Sequence, residues 1–265
     1  MIKKVEIYYI GLLLSFLSLL IVSPHVSHAN EFTVDGDIEF AQREDPQYGV
    51  LDPEDPQQQL IENSDSRTEG PLRIDFVPQL SFSENKSSSK DEVYQADALL
   101  FPKVVKPRGS FVQVSDYREK PSGWTLQLKQ DIQFKNEKNA TLDGAVISFD
   151  KSWVNTANGV GSKPVVAKEI IRLNNIGETY DLAKANKGTM GTWSIVFGAS
   201  QDNKDDQDPT LSPRLDKEGK PIKDPNLENQ PVYANSAVNL SVPGGTKKEA
   251  GIYSTVLTWI ISELP

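Results

Sequence analysis

The sequence predicts an all-β domain, an antiparallel β-sandwich or barrel with long polar loops, preceded by a disordered acidic arm. Short runs of alternating apolar and polar residues recur from Pro71 to the end, turn residues separate them, and helical patterns are weak. The segment before Pro71 is rich in like charges and prolines and poor in large apolar residues. Such a composition cannot bury enough surface to offset chain entropy.

Residues 1–29 have the three parts of a secretory signal peptide. Two lysines precede an apolar run from about Ile7 to Val22, and small residues stand at Ser27 and Ala29. We expect cleavage after Ala29 and therefore a secreted protein. An uncleaved membrane anchor is the weaker alternative, because the run is shorter than the ~20 residues of a spanning helix.

Cleavage after Ala29 leaves a mature chain that contains neither histidine nor cysteine. His25 and His28 both lie in the predicted signal peptide, and the chain has no cysteine. Disulfides, thiol nucleophiles, histidine-based triads and histidine- or cysteine-ligated metals are then excluded, and we expect no cofactor. The formal net charge of -9 argues against nucleic acid as a partner, because phosphate binding needs a basic face.

An acidic linker is predicted from Asn30 to Gly70. It contains twelve acidic residues against two basic ones, which leaves the body from Pro71 to Pro265 formally neutral. Asp-Pro recurs at Asp45-Pro46, Asp52-Pro53 and Asp55-Pro56. A solvated, mobile linker needs no partner, and a docking strip for a basic partner is the alternative.

The alternation of apolar and polar residues predicts the strands of the body, residues 71–265. Leu72, Ile74 and Phe76 alternate with polar residues before Pro78. Further β-rich runs are Phe111 to Val114, Trp124 to Leu128, Ile132 to Phe134, Ala145 to Phe149, Trp193 to Phe197, Val238 to Val242 and Tyr253 to Ile261. Val165 to Arg172 fits a short helix or a strand. Gln201 to Gln230, with four prolines, is expected to be a long surface loop.

Any attachment to the cell is expected to be non-covalent and made by the folded body. The chain stops directly after its last β-rich run, without a stop-transfer segment or sorting signal, and it lacks a cysteine for lipid. Tryptophan suits glycan and peptide contacts because its flat face stacks. However, Trp124 and Trp259 lie in period-2 faces, which usually point into a sandwich core.

The chain resembles the WxL-domain cell-surface proteins of Gram-positive bacteria, as a small, single-domain member. The residues that carry the resemblance are Asp116-Tyr117-Arg118, Gly123-Trp124-Thr125-Leu126, and Tyr253 to Ile261 with Pro265 four residues beyond. Further likeness at Gly70 to Phe76 and Gly191 to Gly198 extends it over nearly all of 71–265. The distal motif departs from the family pattern by having Ile261 in place of leucine, which keeps volume and polarity.

The resemblance implies a non-catalytic all-β domain, 71–265, that holds the protein at the cell surface by binding peptidoglycan in the cell wall. The motif positions, as ligand contacts or as core support for them, are Trp124, Thr125, Leu126, Trp259, Ile260 and Ile261. As an alternative, it implies an interaction subunit that docks a membrane-anchored companion or a larger surface protein of the same family. Wall contact is then indirect.

Three further hypotheses remain open from the residues. Asp143, Asp150 and Glu169 could serve as acid and base in glycan hydrolysis, but the sequence fixes no catalytic separation between them. The loop 202–208 has four carboxylates that suit calcium, without the glycine and distal glutamate of an EF-hand. Basic spots at Lys103 to Arg108 and at Lys247-Lys248 could meet anionic wall polymers. A solvated surface is the simpler interpretation in each case.

Overall fold

Strands, turns and loops build the part of the chain that the structure describes. The computed structural model describes residues 49–62, 64–102 and 104–265, all within the unit Arg43–Pro265. These residues form no helix, which confirms the all-β prediction. The strands are β1 Val50–Leu51, β2 Gln59–Ile61, β3 Leu72–Phe76, β4 Glu92–Asp97, β5 Leu99–Phe101, β6 Val104–Arg108, β7 Ser110–Asp116, β8 Trp124–Gln130, β9 Val146–Phe149, β10 Ser152–Thr156, β11 Val165–Val166, β12 Ile171–Arg172, β13 Thr179–Ala185, β14 Gly191–Phe197, β15 Leu211–Pro213, β16 Lys223–Asp224, β17 Gln230–Pro231, β18 Tyr233–Val242 and β19 Leu257–Glu263.

The predicted signal peptide and the start of the predicted linker, up to Tyr48, lie outside the described residues. Within the described ranges, the structure offers no helix with the length and apolar character needed to span a membrane.

Three antiparallel sheets form the body. The β7 sheet has the strand order β10-β14-β7-β3, and the β8 sheet has the order β11-β13-β8-β19. The β18 sheet contains β12, β9, β18 and β15, and β4 also pairs with β18. Short two-stranded ladders join β1 to β2, β5 to β6 and β16 to β17. All of these pairs are antiparallel, as short turns between strands allow.

One hydrophobic core is shared by the three sheets. Residues on β8 alternate along its length between buried and half-buried, so this strand turns one face to the core. The core includes Trp124, Leu126 and Leu128 from the β8 sheet, Val112, Val114, Trp193, Ile195 and Phe197 from the β7 sheet, and Ile147, Phe149, Val238 and Leu240 from the β18 sheet. The body is therefore a packed sandwich.

The β7 sheet is covered on both faces. Every residue of β7 and of β14 is buried, although their side chains alternate between the two faces. On the face away from the shared core, Phe111, Trp153 and Val196 pack with Val50, Leu60 and Phe101 in a second cluster. The β1–β2 segment, residues 49–61, thus forms a cap on this sheet.

This cap differs from the expectation of a solvated linker up to Gly70. The Asp52 carboxylate accepts two hydrogen bonds of 2.6 Å from the Arg108 guanidinium, and both side chains are at most 5% exposed. The backbone N–H of Leu51 donates to Oε1 of Gln113 at 2.7 Å. A buried carboxylate persists when a cation is paired with it. Packed residues therefore extend upstream of Pro71, at least to Gly49.

Most predicted strands are present, with local differences. Val165 to Arg172 contains β11 and β12, because pairing with β13 and β9 selects the extended form. Ile132 to Phe134 lies outside the strands. The last strand begins at Leu257 rather than Tyr253, and the expected loop from Gln201 contains β15 and β16.

Candidate functional site

The two tryptophan motifs lie side by side in the β8 sheet. Trp124-Thr125-Leu126 opens β8, and Trp259-Ile260-Ile261 forms the middle of β19, its antiparallel neighbour. In this register Trp259 faces Leu128, and Ile261 faces Leu126. Because opposed residues share a face of the sheet, the first and third positions of both motifs point inward. The second positions, Thr125 and Ile260, point outward.

Trp124 and Leu126 belong to the core. Both side chains are fully buried, at 0% exposure. Nε1 of Trp124 has no hydrogen-bond partner among the described residues, an arrangement that costs about 1–3 kcal/mol for a buried donor. These two motif residues therefore support the sheet from inside and present no surface to a ligand.

Trp259 and Ile261 are only partly buried, because β19 is at the edge of the sheet. The indole of Trp259 packs edge-on against the ring of Phe149, with centroids 6.3 Å apart and an interplanar angle of 79°. This T-shaped contact holds Trp259 on the core. The second motif is thus a half-covered counterpart of the first. Of the other tryptophans, Trp153 and Trp193 are both buried.

The side chains on the other side of the β8 sheet form an open surface, which we call the outer face. None of its residues is buried. Its members are Thr125, Gln127, Lys129, Val165, Thr179, Asp181, Lys184, Thr258, Ile260 and Ser262. Gln127 lies at the centre, between Asp181 on β13 and Ile260 on β19. Hydroxyl, amide, carboxylate and ammonium groups therefore lie between two apolar side chains, Val165 on β11 and Ile260 on β19.

Internal hydrogen bonds order the polar groups of this face. Nε2 of Gln127 donates to Oδ1 of Asp181 at 2.6 Å. At the end of β8, Nζ of Lys129 lies 2.7 Å from Oδ1 of Asp131, and the Thr258 hydroxyl donates to the same carboxylate. The bonds from Lys129 and then Thr258 lower the pKa of Asp131 below its ordinary value. The face therefore presents oriented donors and acceptors.

Gly123 allows the chain to enter the first motif. Its φ is +103°, in the left-handed region that favours glycine. A Cβ at this position would meet the carbonyl oxygen of Ala185 on β13 at 2.5 Å. A glycine before Trp124 therefore lets β8 approach β13 closely.

Arg118 ties the beginning of β8 to the end of β19. Its guanidinium binds both oxygens of Asp116, at 2.9 and 2.7 Å, and donates to the carbonyl of Gly123 at 3.0 Å. Its Nη1 is 2.6 Å from Oε1 of Glu263. The hydrogen bonds that Arg118 donates to the Asp116 carboxylate are the main reason that the pKa of Arg118 is raised. The Asp116-Tyr117-Arg118 sequence therefore positions both motifs.

Only one of the three carboxylates considered for glycan hydrolysis lines the polar groove beside β10. Asp150 lines a polar groove of about 400 Å³, together with Lys151, Asp206 and Asp208. Asp143 and Glu169 are not among the residues that line it. Within this groove, Nζ of Lys151 is 2.9 Å from Oδ2 of Asp208, in an exposed ion pair. The structure assembles no acid and base pair from the three candidates there.

The acidic loop 202–208 is organised by a side-chain amide. Asn203 donates to the carbonyls of Ser200 and Gln207, and its Oδ1 accepts from the backbone N–H groups of Asp205 and Gln207. Across the described ranges, no three acidic or metal-binding side chains are grouped so as to hold a metal ion.

The basic spots are engaged within the protein. Arg108 is buried against Asp52, and Lys106 pairs with Asp202. The Lys248 ammonium donates to the carbonyls of Ser88 and Pro243 at 3.0 and 2.9 Å. Lys103 lies outside the described residues. These cations therefore stabilise loops and the cap.

A comparison with protein families identifies the chain. Residues 27–265 match the model of the WxL domain, described as a surface cell wall-binding domain. The chain belongs to this family. This confirms the resemblance seen in the motifs, and the WxL match also includes the cap. No curated protein and no solved structure matches the chain.

Family membership makes this WxL protein a wall-associated protein of the cell surface. The family is one of wall binding rather than catalysis. The sequence placed six motif residues at the candidate site. The structure brings all six together but turns only Thr125 and Ile260 to the outer face. The rest of that surface consists of residues that the motifs do not contain, among them Gln127, Asp181 and Lys184.

Proposed function

We propose that this WxL protein binds peptidoglycan directly, through the outer face of the β8 sheet. The observation that carries the proposal is that both motifs fix adjacent strands from inside, with their central residues on one open surface. A binding surface in a sheet gains precision when its strands are held rigidly by the core.

The chemistry of the face suits a glycan bearing short peptides. Amide and hydroxyl groups of Gln127, Thr125 and Thr258 match sugar hydroxyls and acetamido groups, which both donate and accept hydrogen bonds. The ammonium of Lys184 suits a peptide carboxylate, and Asp181 suits an amine. Ile260 offers a small apolar contact beside Gln127. Because the ligand is polymeric, weak contacts by many molecules or sites suffice for retention.

Sedimentation with insoluble peptidoglycan tests the proposal. The chain lacking its predicted signal peptide is purified and spun with washed peptidoglycan. We expect it in the pellet, and the double variant Gln127→Ala, Lys184→Ala is expected mostly in the supernatant. The matched control is Gln59→Ala, Lys217→Ala, which removes the same groups from exposed positions outside the β8 sheet. This control should sediment like the parent protein.

Two results would contradict parts of the proposal separately. A parent protein that remains wholly in the supernatant contradicts peptidoglycan binding. A double variant that sediments as the parent does contradicts the location. Under the alternative of a companion-docking subunit, the pure protein sediments only after the membrane-anchored companion is added.

A further inference from the structure

Strand β19 leaves one edge of the β8 sheet free in the described part of the chain. It pairs with β8 and with no other described strand. Asp131 N–H donates to the carbonyl of Val256 at 2.9 Å, and Leu264 N–H donates to the carbonyl of Gly123 at 3.1 Å. Antiparallel pairs alternate between bonded and non-bonded. The backbone groups of Leu257, Trp259, Ile261 and Glu263 therefore point away from β8, toward the free edge.

This edge lacks the features that usually protect an open strand. Native edges commonly carry lysine, proline or a bulge. The sequence of β19, Leu-Thr-Trp-Ile-Ile-Ser-Glu, has no lysine, arginine or proline, and its register with β8 is regular. Its one charged residue, Glu263, is already paired with Arg118. No residue of β19 is buried. The strand is thus suited to accept another strand.

We propose that two copies of this protein pair through β19, antiparallel, about a two-fold axis at Ile260. Trp259 then exchanges backbone hydrogen bonds with Ile261 of the second copy, and Leu257 does so with Glu263, in agreement with the free edge groups. Ile260 meets Ile260 of the second copy across the axis. The two β8 sheets become one continuous eight-stranded sheet.

This register is complementary in charge and shape. Thr258 faces Ser262 of the second copy, and Trp259 faces Ile261, so polar residues meet polar ones on the outer face and apolar residues meet on the inner face. No two like charges stand opposite each other, because Glu263 faces Leu257. Aromatic and β-branched cross-strand pairs are favourable. An isologous contact of this kind closes as a dimer.

The dimer has a functional consequence. The two outer faces join side by side, with Ile260 of each copy at the centre. A paired sheet presents two copies of the same surface to a polymeric ligand at fixed spacing, which raises avidity without new contacts. The pairing itself does not depend on which wall component the face binds.

Charged substitutions of Ile260, the residue at the two-fold axis, test the register. The chain lacking its predicted signal peptide is measured by light scattering and sedimentation velocity over the micromolar to millimolar range. We expect the parent protein to reach twice the monomer mass. Ile260→Lys and Ile260→Glu should each be monomeric, because like charges then face each other. Their equimolar mixture should restore the dimer. Thr125→Lys, on the same face of the neighbouring strand β8, should dimerise as the parent does.

The outcomes separate the pairing from a folding defect. Thermal unfolding of each variant is compared with that of the parent, and amide exchange at Trp259 and Ile261 should slow with concentration only in dimerising proteins. A parent that stays monomeric overturns the proposal. So does an Ile260→Lys protein that dimerises like the parent, or a mixture of the folded Lys and Glu variants that remains monomeric. None of these results bears on whether the monomer sediments with peptidoglycan.

Discussion

The β7 and β8 sheets are built from strands of similar length, but they differ in their second faces. The β7 sheet is covered on that face by the cap, residues 49–61, and holds buried polar groups there. For example, Nε of Arg73 donates to Oδ1 of Asp75 at 2.7 Å, and the Ser115 hydroxyl donates to Oδ2 of the same carboxylate at 2.5 Å. The β8 sheet leaves its second face open.

Under the proposed function, this difference separates stability from binding within one domain. Polar groups on a covered face must keep their partners, because an unsatisfied buried group costs about 1–3 kcal/mol. Side chains on an open face are free of that requirement, since water satisfies them. The outer face can therefore be shaped for a ligand while the cap and the core carry the fold. Four sets of variants test this separation, in order of decreasing effect on stability.

Replacing the two motif tryptophans should have unequal effects. Trp124→Ala removes a fully buried indole from the shared core and should lower the free energy of unfolding by about 4 kcal/mol. Trp259→Ala, in the half-buried strand β19, should cost about 2 kcal/mol by the same argument. Urea unfolding followed by far-UV circular dichroism measures both. Equal losses would show that the edge strand is as buried as β8.

Breaking the ion pair between Asp52 and Arg108 should lower the free energy of unfolding nearly as much as Trp124→Ala does. Asp52→Ala leaves the Arg108 guanidinium buried without its main partner, and should lower the free energy of unfolding by about 3 kcal/mol. The control is Asp55→Ala, which removes an exposed carboxylate from the same segment. It should change the stability by less than about 0.5 kcal/mol. A similar loss in both variants would mean that the cap does not stabilise the domain through this pair.

Glu54 should make the cap sensitive to pH. Burial raises its pKa above the ordinary value of 4.5, despite hydrogen bonds from Ser200. A carboxyl whose pKa is raised in the folded state ionises more readily in the unfolded chain. The free energy of unfolding therefore falls as the pH rises above 4.5, the ordinary pKa of Glu54. Glu54→Gln should therefore gain stability over the parent above that pH, with the difference vanishing in more acid solution. A difference that stays constant from acid to neutral pH would contradict this assignment.

Substitutions on the outer face should leave stability unchanged. Gln127→Ala should shift the free energy of unfolding by less than about 0.5 kcal/mol, because its partner Asp181 remains solvated. Its effect should appear in wall binding instead. Gln113→Ala is the comparison on the covered face, where Gln113 is 0% exposed and bonds to Leu51, Gly49 and Asp75. If both changes cost the same stability, the separation of the two faces is wrong.

Much of the fold could be predicted from the sequence because it depends on local alternation. The period-2 pattern around Trp124, Leu126 and Leu128 indicated an inward face, and the structure buries all three. The same logic placed β3, β7, β9 and β14 close to their observed positions, and it found the second half of β18. The two motifs were also sufficient to indicate the family.

The cap could not be predicted because its stability depends on distant residues. Val50-Leu51-Asp52 is too short to show a pattern, and its acids resemble a solvated run until Arg108 is brought beside Asp52. Arg108 itself was assigned to a surface spot, since its neighbours in sequence are basic. Likewise, the outer face combines residues from β8, β13 and β19 whose neighbourhood depends on strand order. Strand order is a property of the whole chain.

Amide hydrogen exchange with soluble peptidoglycan fragments tests whether the outer face of the β8 sheet contacts the wall. We expect slower exchange in Thr125–Lys129 and in Thr258–Ser262 when fragments are added, with no change in the cap at 49–61. Protection confined to the cap or to the groove lined by Lys151 and Asp208, with the outer face unaffected, would contradict it.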